Sequence, residues 1–405
     1  MTSSPEAATQ APAGEEGLLQ RVRGNISAGN LGSWPVVIGL IVIVLFFSFK
    51  ANNFFTPSNF TNIITQMAGV TMLAYGVVFV LLLGEIDLSI SYISGVAGVV
   101  VAQLTLAGSS HALPGLVAIV IAIAVCVLIG AFQGSIVALI GVPAFVVTLA
   151  GFQIWQGVIQ KSIPQGVLVI QDNTVNNVAN YFFSPGAGWV IAAIVSAIYV
   201  ASAVGGVIAR RRHGIAVRDP VFVVLRLVGV VAAAFGIVAI CNKDRGVPFV
   251  LLLIVAMLLM WTFVAKRTTF GRHVYAVGGN AEAARRSGIN VPRVRILVFM
   301  ISGGMAGLGG IVLAARLNSV DLNAGGGTLL IDAIAAAVIG GTSLFGGRGE
   351  VRDALFGSLV IATIANGLNT LNLTQGTIYI VTGCILLFAV TLDTVLRRRQ
   401  KKAGR

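Results

Sequence analysis

Apolar residues in this chain come in long, nearly unbroken runs, without the spacing of an amphipathic surface helix or the alternation of a half-buried strand. A helix rising 1.5 Å per residue needs about 20 apolar residues to cross a hydrocarbon layer of about 30 Å. About twelve runs approach that length: 33–49, 62–83, 89–106, 115–139, 142–160, 188–209, 222–241, 247–265, 296–315, 329–344, 354–371 and 378–395. Glycine interrupts the third, tenth and eleventh, and short or broken helices are common in transporters. The pattern predicts an all-α, polytopic membrane helix bundle of about 12 transmembrane segments, within a range of 10–12.

The polar positions between the runs carry orientation. With the N-terminus inside and twelve alternating spans, all but five of the 27 Lys and Arg residues fall on the inner side. The five are Lys50, Lys161, Lys243, Arg245 and Arg316. Cytoplasmic loops carry such an excess, so both termini are expected in the cytoplasm. Residues 1–32 hold Pro and three Glu and lack the form of a signal peptide; they read as a disordered cytoplasmic tail. Residues 33–396 read as the transmembrane domain, with a basic cytoplasmic loop at 266–295, and 397–405 as a basic cytoplasmic tail. A polar stretch at 161–186, with four Asn and two Pro, separates the fifth and sixth runs.

Composition narrows the function classes. The 405 residues are 57% apolar and 10% charged, against about 25% charged in soluble domains, and mean hydropathy is +0.94. A soluble domain this apolar would have no polar skin. The net charge of +13 raises nucleic acid as a partner. The basic residues cluster between apolar runs, however, which is the pattern that faces anionic lipid headgroups. Membrane lipid is therefore expected as a partner and nucleic acid is not. Cys126, Cys241 and Cys384 are odd in number and widely spaced; they read as small buried hydrophobes rather than a disulfide framework or metal site. His111, His213 and His273 do not cluster, and no nucleophile–base constellation is visible, so neither an enzyme nor a cofactor is expected.

The loop TTFGRHVYAVGGNAEAARRSGINVPRVR at 268–295 is the most informative segment. Asn280 suits an N-cap, 281–287 is a run of good helix formers and Gly288 suits a C-terminal stop. A short helix between two spans is predicted, with Glu282, Arg285 and Arg286 offering a polar docking surface. By pattern alone it reads equally as an ordinary basic loop.

GGNAEAARRSGIN, with Asn280, Glu282, Ala283, Ala284, Arg285 and Gly288, resembles the coupling loop of sugar permeases in ATP-binding-cassette importers of the ribose/xylose/galactose group. LLLGEIDLSIS at 81–91 resembles that family's acidic turn between two early spans, and Glu85 gives it the form of the D-xylose branch. VPAFVVTLAG at 142–151, DRGVP at 244–248 and DAIAAAVIGGTSLFGGRGEV at 332–351 follow in family order. The matches cover roughly 35–395. One departure is Ile90-Ser91, where the family continues with Val-Gly. The resemblance implies a permease subunit importing a monosaccharide, with xylose favoured, across the bacterial inner membrane. It implies ABC-type ATPase subunits as partners, an extracytoplasmic sugar-binding protein, and a second permease copy in a homodimer. ATP hydrolysis would belong to the partner subunit.

Carboxylates near a membrane are costly and mark candidate sites. Glu85 and Asp87 lie at the break between the second and third runs, where Asp87 or Ser89 also suits a helix cap. Asp332 stands at the edge of the tenth run, and Gln153, Gln156, Asn366 and Asn369 lie within runs. Amides suit a hydroxyl-rich solute because each offers donor and acceptor, and they equally suit interhelical hydrogen bonds. GGTSLFGGRGE at 340–350 lacks the Lys-Ser/Thr ending of a phosphate loop. Its glycines, like Gly303 and Gly307, suit close helix approach. The alternative class is a secondary sugar transporter coupled to protons through Glu85, Asp87 or Asp332; a membrane scaffold is a third.

Overall fold

The computed structural model describes residues 34–106, 108, 110, 112–214, 220–385, 387 and 391. The expected tails at 1–32 and 397–405, with His111 and Arg218, lie outside the described residues.

Each of the twelve apolar runs contains a helix. The chain enters through α1 (Trp34–Lys50), α2 (Pro57–Leu82), α3 (Ile90–Leu104), α4 (Gly115–Ser135, continued by a π-helical turn over Ile136–Ile140) and α5 (Ala144–Ser162). A connection holding β1 (Val167–Val169), α6 (Asn173–Asn180) and β2 (Phe182–Phe183) leads to α7 (Pro185–Arg212) and α8 (Pro220–Cys241). Then come β3 (Val247–Pro248), α9 (Phe249–Arg267), the short α10 (Thr269–Gly279) and α11 (Ala281–Arg286), and α12 (Val291–Leu317). β4 (Ser319–Asp321), α13 (Leu329–Gly340), α14 (Val351–Thr370) and α15 (Gln375–Ile385) complete it. Among the described residues, seven helices are long and apolar enough to cross a membrane: α2, α4, α7, α8, α9, α12 and α14.

Local signals set the starts. Thr56 accepts the Asn59 N–H and precedes Pro57, while Ser184 accepts the Ala187 N–H and precedes Pro185. A capping oxygen followed by proline satisfies one orphan donor and spares another. α13 is shorter than its apolar run, which extends to 344. Gly341, at φ +123°, turns the backbone out of the helix, leaving 12 residues and a length of about 18 Å. The polar stretch at 161–186 is not a plain loop. Asp172 Oδ1 accepts the Val175 N–H at 3.0 Å to start α6, and Val175 and Ala179 pack inward.

α2, α12 and α14 form the interior, and α12 packs on α2, α3 and α4. The α12–α4 crossing is close because both sides are glycine. A Cβ at Gly303 would strike the Cys126 carbonyl, and one at Gly130 the Phe299 carbonyl, so the expectation for Gly303 and Gly307 holds. α7 and α8 are the opposite case, exposed almost all round. Cys126 and Cys241 are buried as expected, whereas Cys384 lies on the exposed side of α15, where an apolar thiol suits lipid.

The connections sort to two ends. At one, Gly347 N–H donates to the Leu82 carbonyl (2.9 Å), Tyr275 Oη to the Gly349 carbonyl (2.8 Å), and Arg295 meets Glu85. This gathers 83–89, 268–295 and 341–350. At the other, β1 pairs antiparallel with β4 and β2 with β3, and Asn180 Nδ2 donates to the Ala315 carbonyl (2.7 Å). An alternating twelve-helix chain requires this grouping of connections.

Candidate functional site

α11 is built as the sequence predicts. Asn280 Oδ1 accepts the Ala283 N–H at 2.9 Å, so the residue ending α10 also caps α11. At the far end Gly288 N–H donates to the Arg285 carbonyl (3.0 Å) and Ile289 N–H to the Ala284 carbonyl (3.1 Å), with Gly288 at φ +84°. These two bonds form a Schellman stop, which needs a left-handed residue. Ala284 is buried, while Glu282, Ala283, Arg285 and Arg286 are exposed. Glu282 spans Arg286 (3.2 Å) and Arg285 (3.8 Å). The result is a capped, charged ridge standing on the bundle.

Beneath the ridge, α10 seats on backbone. A Cβ at Gly278 would collide with the Leu82 carbonyl and come within 2.9 Å of the Gly347 nitrogen. Lys266 Nζ meets Glu350 at 2.7 Å, and Arg352 Nε meets the same oxygen at 2.6 Å. The acidic turn is pinned on several sides. Glu85 Oε1 lies 2.7 Å from Arg295 Nε. Asp87 Oδ1 accepts the Ser89 N–H (3.0 Å) and hydroxyl (2.6 Å), and Oδ2 accepts the Ser302 hydroxyl from α12 (2.7 Å). Asp87 is therefore the residue that caps the start of α3; the Ser89 side chain makes no cap bond. Burial pushes both carboxyls up from the ordinary range, opposed at Glu85 by Arg295 and at Asp87 by the hydrogen bonds from Ser89 and Ser302. Ser89 Oγ also lies 2.8 Å from Gln133 Oε1, yet its single proton already serves Asp87. Turning the Gln133 amide over lets Nε2, otherwise without a partner, donate to Ser89.

A cavity of about 430 Å³ opens at the other end, between α3, α12 and the 319–329 connection. Ser94, Ser319, Asp321, Asn323, Thr328, Asp332 and Tyr379 supply its polar groups, and among the described residues no Lys, Arg or His lines it. The Thr328 hydroxyl donates to Asp332 Oδ2 at 2.7 Å. The volume lies within the range of about 300–1,000 Å³ usual for small-molecule pockets.

Residues 59–390 match the family described as branched-chain amino acid transport system / permease component. The chain belongs to this family. The xylose transport system permease protein of Escherichia coli (strain K12) is 36% identical over 372 residues, covering 91% of this chain and 93% of that protein. The D-allose transport system permease of the same strain is 32% identical (88% and 90% covered), and its ribose import permease 31% identical (88% and 92%). No solved structure matches. The chain is thus a permease component of a transport system rather than an enzyme, and a multi-pass protein of the bacterial inner membrane.

Within the permease, the expected site residues divide. Asn280, Glu282, Ala283, Ala284, Arg285 and Gly288 build α11 and its caps. Of the residues expected along a substrate path, Asp332 alone lines the cavity. Glu85 and Asp87 sit at the opposite end, fully engaged. Gln153 is exposed and Gln156 half-buried on α5; Asn366 is buried in α14 and Asn369 exposed near its end. The cavity's Asp321 and Asn323 carried a local signal, since the Asn323 N–H donates to Asp321 Oδ1 in an Asx turn (3.0 Å). Ser94 and Tyr379 carried none. Among the described residues no group of three or more His, Cys, Asp or Glu gathers to hold a metal.

Proposed function

We propose that this permease translocates a monosaccharide, with xylose as cargo, in an importer driven by separate ATPase subunits. One observation carries the cargo class: among the described residues the cavity offers acceptors, hydroxyls and an amide but no cation. A zwitterionic amino acid would leave its carboxylate without a counter-charge there, a costly arrangement, whereas sugar hydroxyls donate to Asp321 and Asp332 and accept from Tyr379 and the Asn323 amide. The xylose permease from E. coli, 36% identical over 91% of this chain, favours xylose over allose or ribose.

In this reading both termini are cytoplasmic and the chain crosses the membrane twelve times. The exposed face of α11, from Glu282 to Arg286, docks on the ATPase. An extracytoplasmic binding protein delivers the sugar to the cavity end, and a second copy of the permease completes the path. ATP-driven closure of the ATPase pair moves α10 and α11 against the 82–89 and 341–350 segments. Uptake of labelled xylose, ribose and leucine into proteoliposomes tests the proposal, using permease, ATPase and binding protein together and then the permease alone under a proton gradient. ATP-dependent xylose uptake requiring all three components is expected. Uptake by the permease alone on a proton gradient would replace the reading with a secondary transporter.

A further inference from the structure

We propose that the groove between α7, α8 and α9, at the basic end of the bundle, binds the headgroup of an anionic phospholipid. Arg210 of α7, Arg226 of α8 and Arg267 of α9 converge on a cavity of about 290 Å³. Among the described residues none of the three has an ion-pair partner. The described carboxylates at this end are occupied elsewhere. Glu85 is held by Arg295, Glu282 by Arg285 and Arg286, and Glu350 by Lys266 and Arg352. Asp87 and Asp353 are buried in helix caps. Three guanidiniums around one space, with no carboxylate among the described residues lining it, call for an anion with several acceptor oxygens, and planar guanidinium matches phosphate.

The flank of the groove identifies the source of that phosphate. Tyr199, Val207 and Leu227 line the same space, and the helices carrying it expose apolar side chains such as Leu225 and Val228. A free phosphate has no use for an apolar wall, whereas a phospholipid lays its acyl chains along it. Basic pockets between membrane helices are established headgroup sites of this kind. The site is independent of the cargo and of the importer reading, since it shares no residue with the cavity and uses none of the α11 ridge.

The full-length permease, purified in mild detergent, is mixed with equal phosphatidylglycerol and phosphatidylcholine and examined by native mass spectrometry. Selective retention of phosphatidylglycerol is expected, weakened about fivefold for each guanidinium removed in R210Q, R226Q and R267Q. The single variants keep the test valid even if the triple variant misfolds. R285Q/R286Q/R293Q, equal in charge loss at the same end, is expected to retain lipid as the unaltered protein does. Equal retention of both lipids, unchanged retention in R210Q/R226Q/R267Q, or an equal loss in the control variant would each overturn the site. Thermal stabilisation by inorganic phosphate with no phosphatidylglycerol retained would overturn the lipid assignment.

Discussion

Arg295 Nε lies 2.7 Å from Glu85 Oε1, joining the second turn of α12 to the turn between α2 and α3 across 210 residues of sequence. The side chains are 32% and 12% exposed, so breaking the pair should cost less than the ~3–5 kcal/mol of a fully buried one. Glu85→Ala and Arg295→Ala are each expected to cost about 1–2 kcal/mol. The double variant should cost little more than either single, because each single strands the other charge. Thermal unfolding of the purified permease gives the numbers; strictly additive losses would mean that the pair is not coupled.

Asp87→Ala should be more damaging. It leaves the Ser89 N–H and the Ser302 hydroxyl without their acceptor in the interior, while the Ser89 hydroxyl keeps only Gln133, and each stranded donor costs about 1–3 kcal/mol. Asp87→Asn keeps an acceptor and should recover part of the loss. The same melting measurement, with membrane expression level as a second readout, separates the two. Equal stability of Asp87→Ala and the unaltered chain would deny Asp87 its cap.

How far this was legible from sequence depends on the range of each interaction. The helices were readable because lipid makes every spanning run apolar over its whole length. The α11 caps were readable because Asn280 and Gly288 act on residues within three or four positions. Ser302 and Gln133, which meet the Asp87–Ser89 pair from 215 and 44 residues away, leave no local trace. α6 was hidden by its four Asn, although Asp172 at its cap and Val175, Val178 and Ala179 at helical spacing were there to be seen. Composition marked Gln153 and Asn369 as path residues, but only packing decides which way a polar side chain on an apolar helix points, and both are exposed.

The ridge predicts a separation of insertion from coupling. Glu282→Ala removes an exposed charge with little effect on folding, and Gly288→Ala strains one left-handed residue by about 1 kcal/mol. Together they should leave membrane insertion intact, abolish sugar uptake, and end the stimulation of ATP hydrolysis by loaded binding protein. Transport at the original rate in the double variant would remove α11 from the coupling role.

At the cavity, Asp332→Ala deletes a charged acceptor. A hydrogen bond to a charged group contributes about 1.5–3 kcal/mol, so KM for xylose uptake should rise roughly tenfold or more while ATPase assembly is unaffected. Uptake kinetics in proteoliposomes check this; an unchanged KM would place the sugar elsewhere.

Orientation has its own test. In a variant with Cys126, Cys241 and Cys384 replaced by Ala, a membrane-impermeant maleimide should label Lys243→Cys on intact spheroplasts and Ala283→Cys only in inside-out vesicles. Both positions are exposed, so reactivity reports side rather than burial. Labelling of the two from the same side would break the alternating arrangement.

Most contacts between helices are cushioned by side chains, which take up small displacements by changing rotamer. The seat of α10 has no such cushion. At Gly278 the backbone rests directly on the Leu82 carbonyl and beside the Gly347 nitrogen, and Leu82 is the last residue of α2, the most deeply buried of the long helices. A joint of this kind has no compliance and no backlash. In the coupling proposed above, movement of the outer ridge would reach the axis of the bundle undamped, and a side chain added at 278 would act as a shim that holds the joint open.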